Sequence, residues 1–285
     1  MASASPDICY PNGTTLFQSR FTKSELHNWH HDYFHVNGER QIYTNTSSNI
    51  DVVDGALVLS ALRQPNGDWT SARVRTAAEW LYFRMDVTFK LDKVSPGAFP
   101  SIFILPRGDK VSWPKDGEID LMEFNTVFPN TPLIQTIQTQ YGNSGTGIAF
   151  YNCRPDVTNF VKVSVIKLDK SIQFLCNDVE SGTYNRPDPF TISQWPYSQE
   201  YPFGLTIAYA VEPQWSARVP DNIDTLKMTI SNVTVYDCNP APSIPVTSLT
   251  SVTTATGVPE PSKSGNPSTF NSIALLMIFL FYFLK

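Results

Sequence analysis

The stretch Glu118-Ile119-Asp120-Leu121-Met122-Glu123 sets three carboxylates within six residues of an otherwise apolar, strand-like run. Acidic side chains are among the least buried types, so a strand that turns three of them inward needs a chemical reason. Side chains alternate faces along a strand, so Glu118 and Asp120 share one face while Ile119 and Leu121 take the other. Glu123 has the wrong parity for a regular strand. One extra residue in a β-bulge near Leu121-Met122 restores it, and bulges are common beside active sites. The two glutamates then stand four pleat steps apart, roughly 13 Å between Cα atoms, and side chains leaning inward close most of that gap.

Two carboxyl groups facing one cleft is what glycoside hydrolysis requires, with about 5–5.5 Å between them in the retaining form. Asp120, lying between the glutamates, is placed to hydrogen-bond one of them and hold the two pKa values apart, so that one acid stays protonated while the other is ionised. The alternative is an exposed edge strand with its acids in water. Trp113-Pro114-Lys115-Asp116-Gly117 just upstream, and β-rich sequence on both sides, argue against it.

Outward from this stretch, aromatic and β-branched residues recur in short runs: Ala56 to Leu62, Tyr82 to Leu91, Pro100 to Leu105, Val161 to Leu168, Phe203 to Val211 and Lys227 to Val235. Each is bounded by Gly, Pro, Asn or Asp, and no long stretch of period 3.6 precedes Cys238. Many short strands at this spacing predict an all-β sandwich of two antiparallel sheets, in one domain over residues 7–238. The charged fraction is 16% against 13% aromatic, which suits a secreted β-rich domain. A net charge of -5 leaves no basic footprint, so nucleic acid is not an expected partner.

The acidic stretch and its surroundings resemble glycoside hydrolase family 16, in its laminarinase-like branch. Trp113-Pro114-Lys115-Asp116-Gly117-Glu118-Ile119-Asp120-Leu121-Met122-Glu123-Phe124 is similar to that family's Glu-x-Asp-x-x-Glu signature, with Met122 as the extra residue of the bulged form. Asn37-Gly38-Glu39-Arg40-Gln41-Ile42-Tyr43, Asp54 to Leu59, Thr70 to Val74 and Ala98 to Pro106 resemble its neighbouring strands. The resemblance implies a jelly-roll, concanavalin-like sandwich with a carbohydrate-binding cleft. It implies Glu118 as nucleophile, Glu123 as general acid/base and Asp120 as auxiliary carboxylate. Trp113, Tyr141 and Trp215 are candidate stacking platforms for sugar rings, and Arg73 and Asn37 are candidate donors to sugar hydroxyls. Three segments depart from the family: Thr139-Gln140-Tyr141-Gly142 has glutamine for histidine, the Trp-x-x-x-x-Ile strand is weakened to Ser164-Val165-Ile166-Lys167, and Leu-Asn-Leu-Ala-Val-Gly-Gly becomes Ile207-Ala208-Tyr209-Ala210-Val211-Glu212-Pro213. Gln140 is kept as a cleft residue with a changed role.

Four cysteines allow three pairings. Cys9–Cys238, tying the ends of the domain, and Cys153–Cys176, across neighbouring strands, are expected; four free buried thiols are the alternative. The sequons at Asn12, Asn45 and Asn232 also suit an oxidising secretory route. His27, His30, His31 and His35 read as a solvated loop, and no metal is expected on them. No cofactor is expected, although a structural calcium ion on backbone carbonyls and a carboxylate leaves no mark in a sequence.

From Pro240 the character changes. Nineteen of the 33 residues from Pro240 to Ser272 are Ser, Thr or Pro, and only Glu260 and Lys263 are charged. Residues 239–272 therefore read as an extended stalk. The twelve apolar residues Ile273 to Leu284 fall short of the roughly 20 that span a bilayer and fit the removable tail of a lipid-anchor signal, with Ser264 as attachment point. A retained membrane anchor is the alternative. Met1 to Pro6 lacks the apolar core of a signal peptide, so the expectation is an N-terminal truncation or a misassigned start. Three functions compete for a monomer on the extracellular face of the membrane or in the cell wall. They are an endo-acting β-1,3-glucan hydrolase (with β-1,3/1,4-glucan as a further substrate), a cell-wall glucan transglycosylase, and a non-catalytic β-glucan recognition protein.

Overall fold

The six apolar runs bounded by turn residues are strands in the computed structural model, which describes residues 9, 14–36, 38–107, 111–124, 133–140, 147–198 and 201–238. In chain order the strands are β1 (Thr15–Ser19), β2 (Trp29–His31), β3 (Gln41–Tyr43), β4 (Ile50–Val53), β5 (Ala56–Arg63), β6 (Trp69–Ser71), β7 (Arg73–Thr76), β8 (Phe83–Leu91), β9 (Ala98–Pro106), β10 (Glu118–Glu123), β11 (Leu133–Gln138), β12 (Ile148–Cys153), β13 (Val161–Lys167), β14 (Ser171–Cys176), β15 (Val179–Asn185), β16 (Phe203–Val211) and β17 (Thr225–Asp237). A ten-stranded sheet has the order β15-β14-β13-β8-β17-β5-β6-β3, with β1 added on β17 and β4 on β5. A seven-stranded sheet has the order β12-β11-β10-β9-β16-β7-β2. β3 and β6 pair in parallel, whereas the run β11-β10-β9-β16-β7 is antiparallel throughout.

The core lies between the sheets and follows the period of two. Phe83, Met85, Val87 and Phe89 of β8 face Ile102 and Ile104 of β9 and Leu205, Ile207 and Tyr209 of β16 in one buried cluster. Burial of each such side chain stabilises by about 1.5–3 kcal/mol. On β8 the alternate residues Arg84 and Asp86 point the other way and pair with each other at 2.8 Å.

Cys9 bonds Cys238 and Cys153 bonds Cys176. The second bridge corrects the expectation of neighbouring strands: Cys153 ends β12 in the seven-stranded sheet and Cys176 ends β14 in the ten-stranded one, so the bridge joins the two layers. The histidines also differ from a solvated loop. His30 and His31 lie on β2, paired with β7, and His35 bridges to Ile42. The stalk, the apolar tail and Ser264 lie outside the described residues, as do Asn37, Tyr141 and the sequon residue Asn12.

Candidate active site

The bulge falls where the parity of Glu123 demands it. Glu118 pairs with Gln138 and Glu123 with Ile134, so a five-residue advance on β10 faces a four-residue advance on β11. On the other side Asp120 pairs with Phe103 and Glu123 with Ser101, three steps against two. Leu121 and Met122 both enter the core, which leaves Glu118, Asp120 and Glu123 on the outer face. All three are only 1% exposed, because Glu39, Tyr43, Arg73, Phe99, Ser101, Phe103, Ala208 and Ala210 close around them as the walls of one cleft.

A tight turn sets the entrance to β10. Ser112 N–H donates to the Asp116 carboxylate at 2.6 Å, Asp116 N–H to the Ser112 carbonyl at 2.9 Å and Gly117 N–H to the Pro114 carbonyl at 3.1 Å. This turn aims the Trp113 indole N–H at Glu118 Oε2. Thr136, one strand over, donates to Glu123 Oε2 at 3.1 Å. The Gln138 side chain hydrogen-bonds Asp120.

Burial raises all three carboxyl pKa values, since loss of water disfavours the charged form. Glu118 is pushed up to about 7, held back by the Trp113 hydrogen bond, the Arg73 charge and a hydrogen bond from Asp120. Glu123 is pushed up to about 8 by burial and by the nearby Glu118, with Thr136 opposing. Asp120 rises well above the usual carboxylate range through burial and its two acidic neighbours. A contact between two carboxyls is a hydrogen bond only when one holds the proton, and the directions agree on which: the bond lowers Glu118 and raises Asp120, so Asp120 is the donor. Glu118 is thus the glutamate that ionises first and Glu123 the one that keeps its proton to higher pH, the order that combined nucleophilic and acid catalysis needs.

Arg73 projects from β7 into the same cleft. Its guanidinium lies 5.4 Å from the ring centroids of both Phe34 and Phe103, and its Nε is 3.2 Å from Asp32. Trp215 stands edge-on to the cleft residue Phe99, with centroids 4.8 Å apart. Gln140 is exposed, beyond the end of β11, and stands apart from the residues that close over the three carboxyls. Ala208 lines the floor with a methyl group at the position where the resembled family carries an amide.

Glu39 is a fourth cleft carboxyl that sequence reading did not single out. Tyr43 donates to its Oε2 at 3.1 Å, Gln41 donates to the same oxygen, and Gln41 Oε1 accepts from Val211 N–H at 2.7 Å. The signal was the alternation Glu39-x-Gln41-x-Tyr43, three polar groups on one strand face. Burial raises the Glu39 pKa as well. Among the described residues no group of three or more His, Cys, Asp and Glu side chains is arranged to hold a metal ion.

No family model matches the chain. It is 35% identical over 97 residues to a glucan endo-1,3-β-glucosidase of Cryptopygus antarcticus, a match that takes in 31% of this chain and 36% of that protein. The chain thus spans about a third of that relative's length. It is 28% identical over 222 residues to a β-glucanase of Rhodothermus marinus, covering 70% of this chain and 74% of that one. The solved laminarinase of Rhodothermus marinus superposes on 80% of this chain and 98% of its own, with a TM-score of 0.70 at 23% identity. That agreement establishes the jelly-roll sandwich.

Proposed function

We propose, for a chain that is laminarinase-like and has the sandwich of glycoside hydrolase family 16, the activity of a retaining, endo-acting β-1,3-glucan hydrolase, with β-1,3/1,4-glucan as a further substrate. One observation carries the reading: a bulged strand presents Glu118, Asp120 and Glu123 together at the floor of a cleft. The names of the relatives support the glucan as substrate class.

In the first step the Glu118 carboxylate attacks the anomeric carbon, while protonated Glu123 gives its proton to the departing glycosidic oxygen. A covalent glycosyl-enzyme forms. Glu123, now ionised, takes a proton from water as the water oxygen attacks the same carbon and releases Glu118. Protonated Asp120 and the Trp113 indole N–H both donate to Glu118, so they orient it and moderate its basicity. Arg73 offers a fixed cation to sugar hydroxyls, and Trp113 and Trp215 offer ring faces for stacking. Asn37 and Tyr141 are assigned to the same cleft on sequence alone. Two carboxyls carry both steps, so the mechanism calls for no cofactor.

The enzyme is further proposed to act as a monomer at the extracellular face of the membrane or in the cell wall, glycosylated and tethered through the stalk and a lipid anchor at Ser264. Chromatography with mass detection on laminarin oligosaccharides, with Glu118→Gln in parallel, tests the activity. Shorter products that disappear in the variant are expected. Products longer than the substrate would make it a transglycosylase, and glucan binding without any product would make it a recognition protein.

A further inference from the structure

Behind the catalytic strand a buried polar chain runs from the ten-stranded sheet to the backbone of Glu118. It begins at Lys167, the last residue of β13, whose side chain is sealed from solvent. Lys167 Nζ donates to the carbonyls of Leu81 and Tyr197, each at 2.8 Å. It also lies over the rings of Tyr82 and Phe203, 5.1 and 4.9 Å from their centroids. Tyr197 is equally buried, in the turn Pro196–Ser198. Its hydroxyl stands 2.5 Å from the Gln138 carbonyl and 3.1 Å from the Glu118 carbonyl. One hydroxyl has one proton, so the shorter contact carries the donation and Glu118 shares it.

Glu118 and Gln138 are register partners on β10 and β11, so a single hydroxyl clamps both strands where the catalytic strand begins. The ring itself rests on Gly117. A Cβ there would stand 2.7 Å from Tyr197 Cε1, and the φ of +89° favours glycine independently. The Gln138 side chain continues the chain to Asp120.

Burying a lysine and a phenol costs free energy that an apolar pair of the same volume avoids. Here their polar atoms are directed at the backbone of the strand that carries the site. We propose that Tyr197, held in place by Lys167, is a positioning residue that fixes the backbone of Glu118 and thereby the contact of its carboxyl with Asp120. This rests on Glu118 being the nucleophile.

Tyr197→Phe keeps the ring and its packing on Trp195 and Phe203 and removes only the hydroxyl. The expected result is a kcat reduced about 10-fold with KM unchanged, as for an interaction that serves geometry in the transition state. The acid limb of kcat/KM moves to higher pH, because a loosened strand weakens the Asp120 hydrogen bond that lowers the Glu118 pKa. The other charged groups facing Glu118 are Glu123 on β10, Arg73 on β7 and Glu39 ahead of β3; the hydroxyl contacts none of them, so the alkaline limb stays in place. Lys167→Met acts in the same direction, and the double variant loses no more than the larger single one, as residues working as a unit do.

A Tyr197→Phe protein with lowered thermal stability but wild-type kcat and both wild-type pH limbs would overturn the proposal. If the wild type cleaves no glucan, the hydrolase reading fails separately and the clamp is read by hydrogen exchange. Amides of residues 118–123 exchanging about 10-fold faster in Tyr197→Phe support it, and unchanged exchange overturns it. Should that variant not fold, Lys167→Met is read by the same exchange measurement with the same two outcomes.

Discussion

Thr136 Oγ1 holds Glu123 Oε2 at 3.1 Å, while the equally buried Oε1 of the same carboxyl has no hydrogen-bond partner among the described residues. Because Oε2 is occupied as an acceptor, the proton of the neutral acid belongs on Oε1, the oxygen left for a substrate. A general acid must hold that proton at working pH, and a pKa near 8 does so. We expect kcat/KM against pH to be bell-shaped, with the acid limb set by Glu118 near 7 and the alkaline limb by Glu123 near 8. Thr136→Val removes a bond that favours the ionised form, so the alkaline limb should move up while the acid limb stays. Coincident profiles for variant and wild type would remove Thr136 from this role.

Trp113 faces Glu118 with its indole N–H rather than only with its ring. Trp113→Phe keeps an aromatic face for a sugar and removes the donor. A hydrogen bond to a charged group contributes about 1.5–3 kcal/mol, so kcat should drop about 10- to 100-fold. The same change raises the Glu118 pKa and moves the acid limb upward, against a modest change in KM. A large rise in KM with intact kcat would instead make Trp113 a platform alone.

The site stands against stability as pH rises. The folded pKa values of Glu118, Asp120 and Glu123 lie above their ordinary values, so each favours the fold fully below its ordinary value, 3.8 for Asp120 and 4.5 for the glutamates, and progressively less as pH climbs through 7 and 8. Asp120→Asn is uncharged at every pH and can still donate to Glu118. Its thermal stability should exceed that of the wild type by about 1 kcal/mol at pH 8, and the gain should vanish near pH 4. Activity should fall as the proton shared between Asp120 and Glu118 is lost. Equal stability of the two proteins across this range would contradict the burial of Asp120 as a neutral acid.

Sequence period sufficed for the six apolar strands and for the bulge of β10, where parity decides: Ile119 and Leu121 had to face a core, and Glu123 had to rejoin Glu118. The favoured cysteine pairs, Cys9–Cys238 and Cys153–Cys176 among three possible pairings, are those of the structure, but the sequence carried no sign of where they sit. It did not reveal that Cys153 and Cys176 sit in different sheets, since which layer a strand joins depends on strand order, a long-range property with no local signal. Glu39 was in view within Glu39-x-Gln41-x-Tyr43, yet its place beside Glu118 follows only from the pairing of β3 with β6 and the link of Gln41 to Val211. Lys167 and Tyr197 were the hardest to read. A lysine at the end of an apolar run looks like a strand terminus in solvent, and only the packed structure supplies the two carbonyls that let it stay buried.

One sequon has a structural setting of its own. β17 shifts register between Ile230 and Asn232, and Ile230 and Val233 are both fully buried, so Asn232 and Thr234 share the face of the ten-stranded sheet turned away from the core, Asn232 half-buried and Thr234 buried. Asn232 Nδ2 donates to Thr234 Oγ1 at 2.9 Å, and both line a groove with Val58, Lys90, Phe160 and Tyr236. Phe160 is 49% exposed there, more than an apolar ring ordinarily is, and a glycan core seated in the groove would cover it. Under the proposed secretory route we expect an N-linked glycan on Asn232. Enzymatic removal of N-glycans should reduce the mass of the wild-type peptide containing residue 232 and leave that of Asn232→Gln unchanged. Hydrolysis should be unaffected, because the cleft lies on the other sheet. An unmodified Asn232 in protein recovered from a secreting eukaryotic host would refute the assignment.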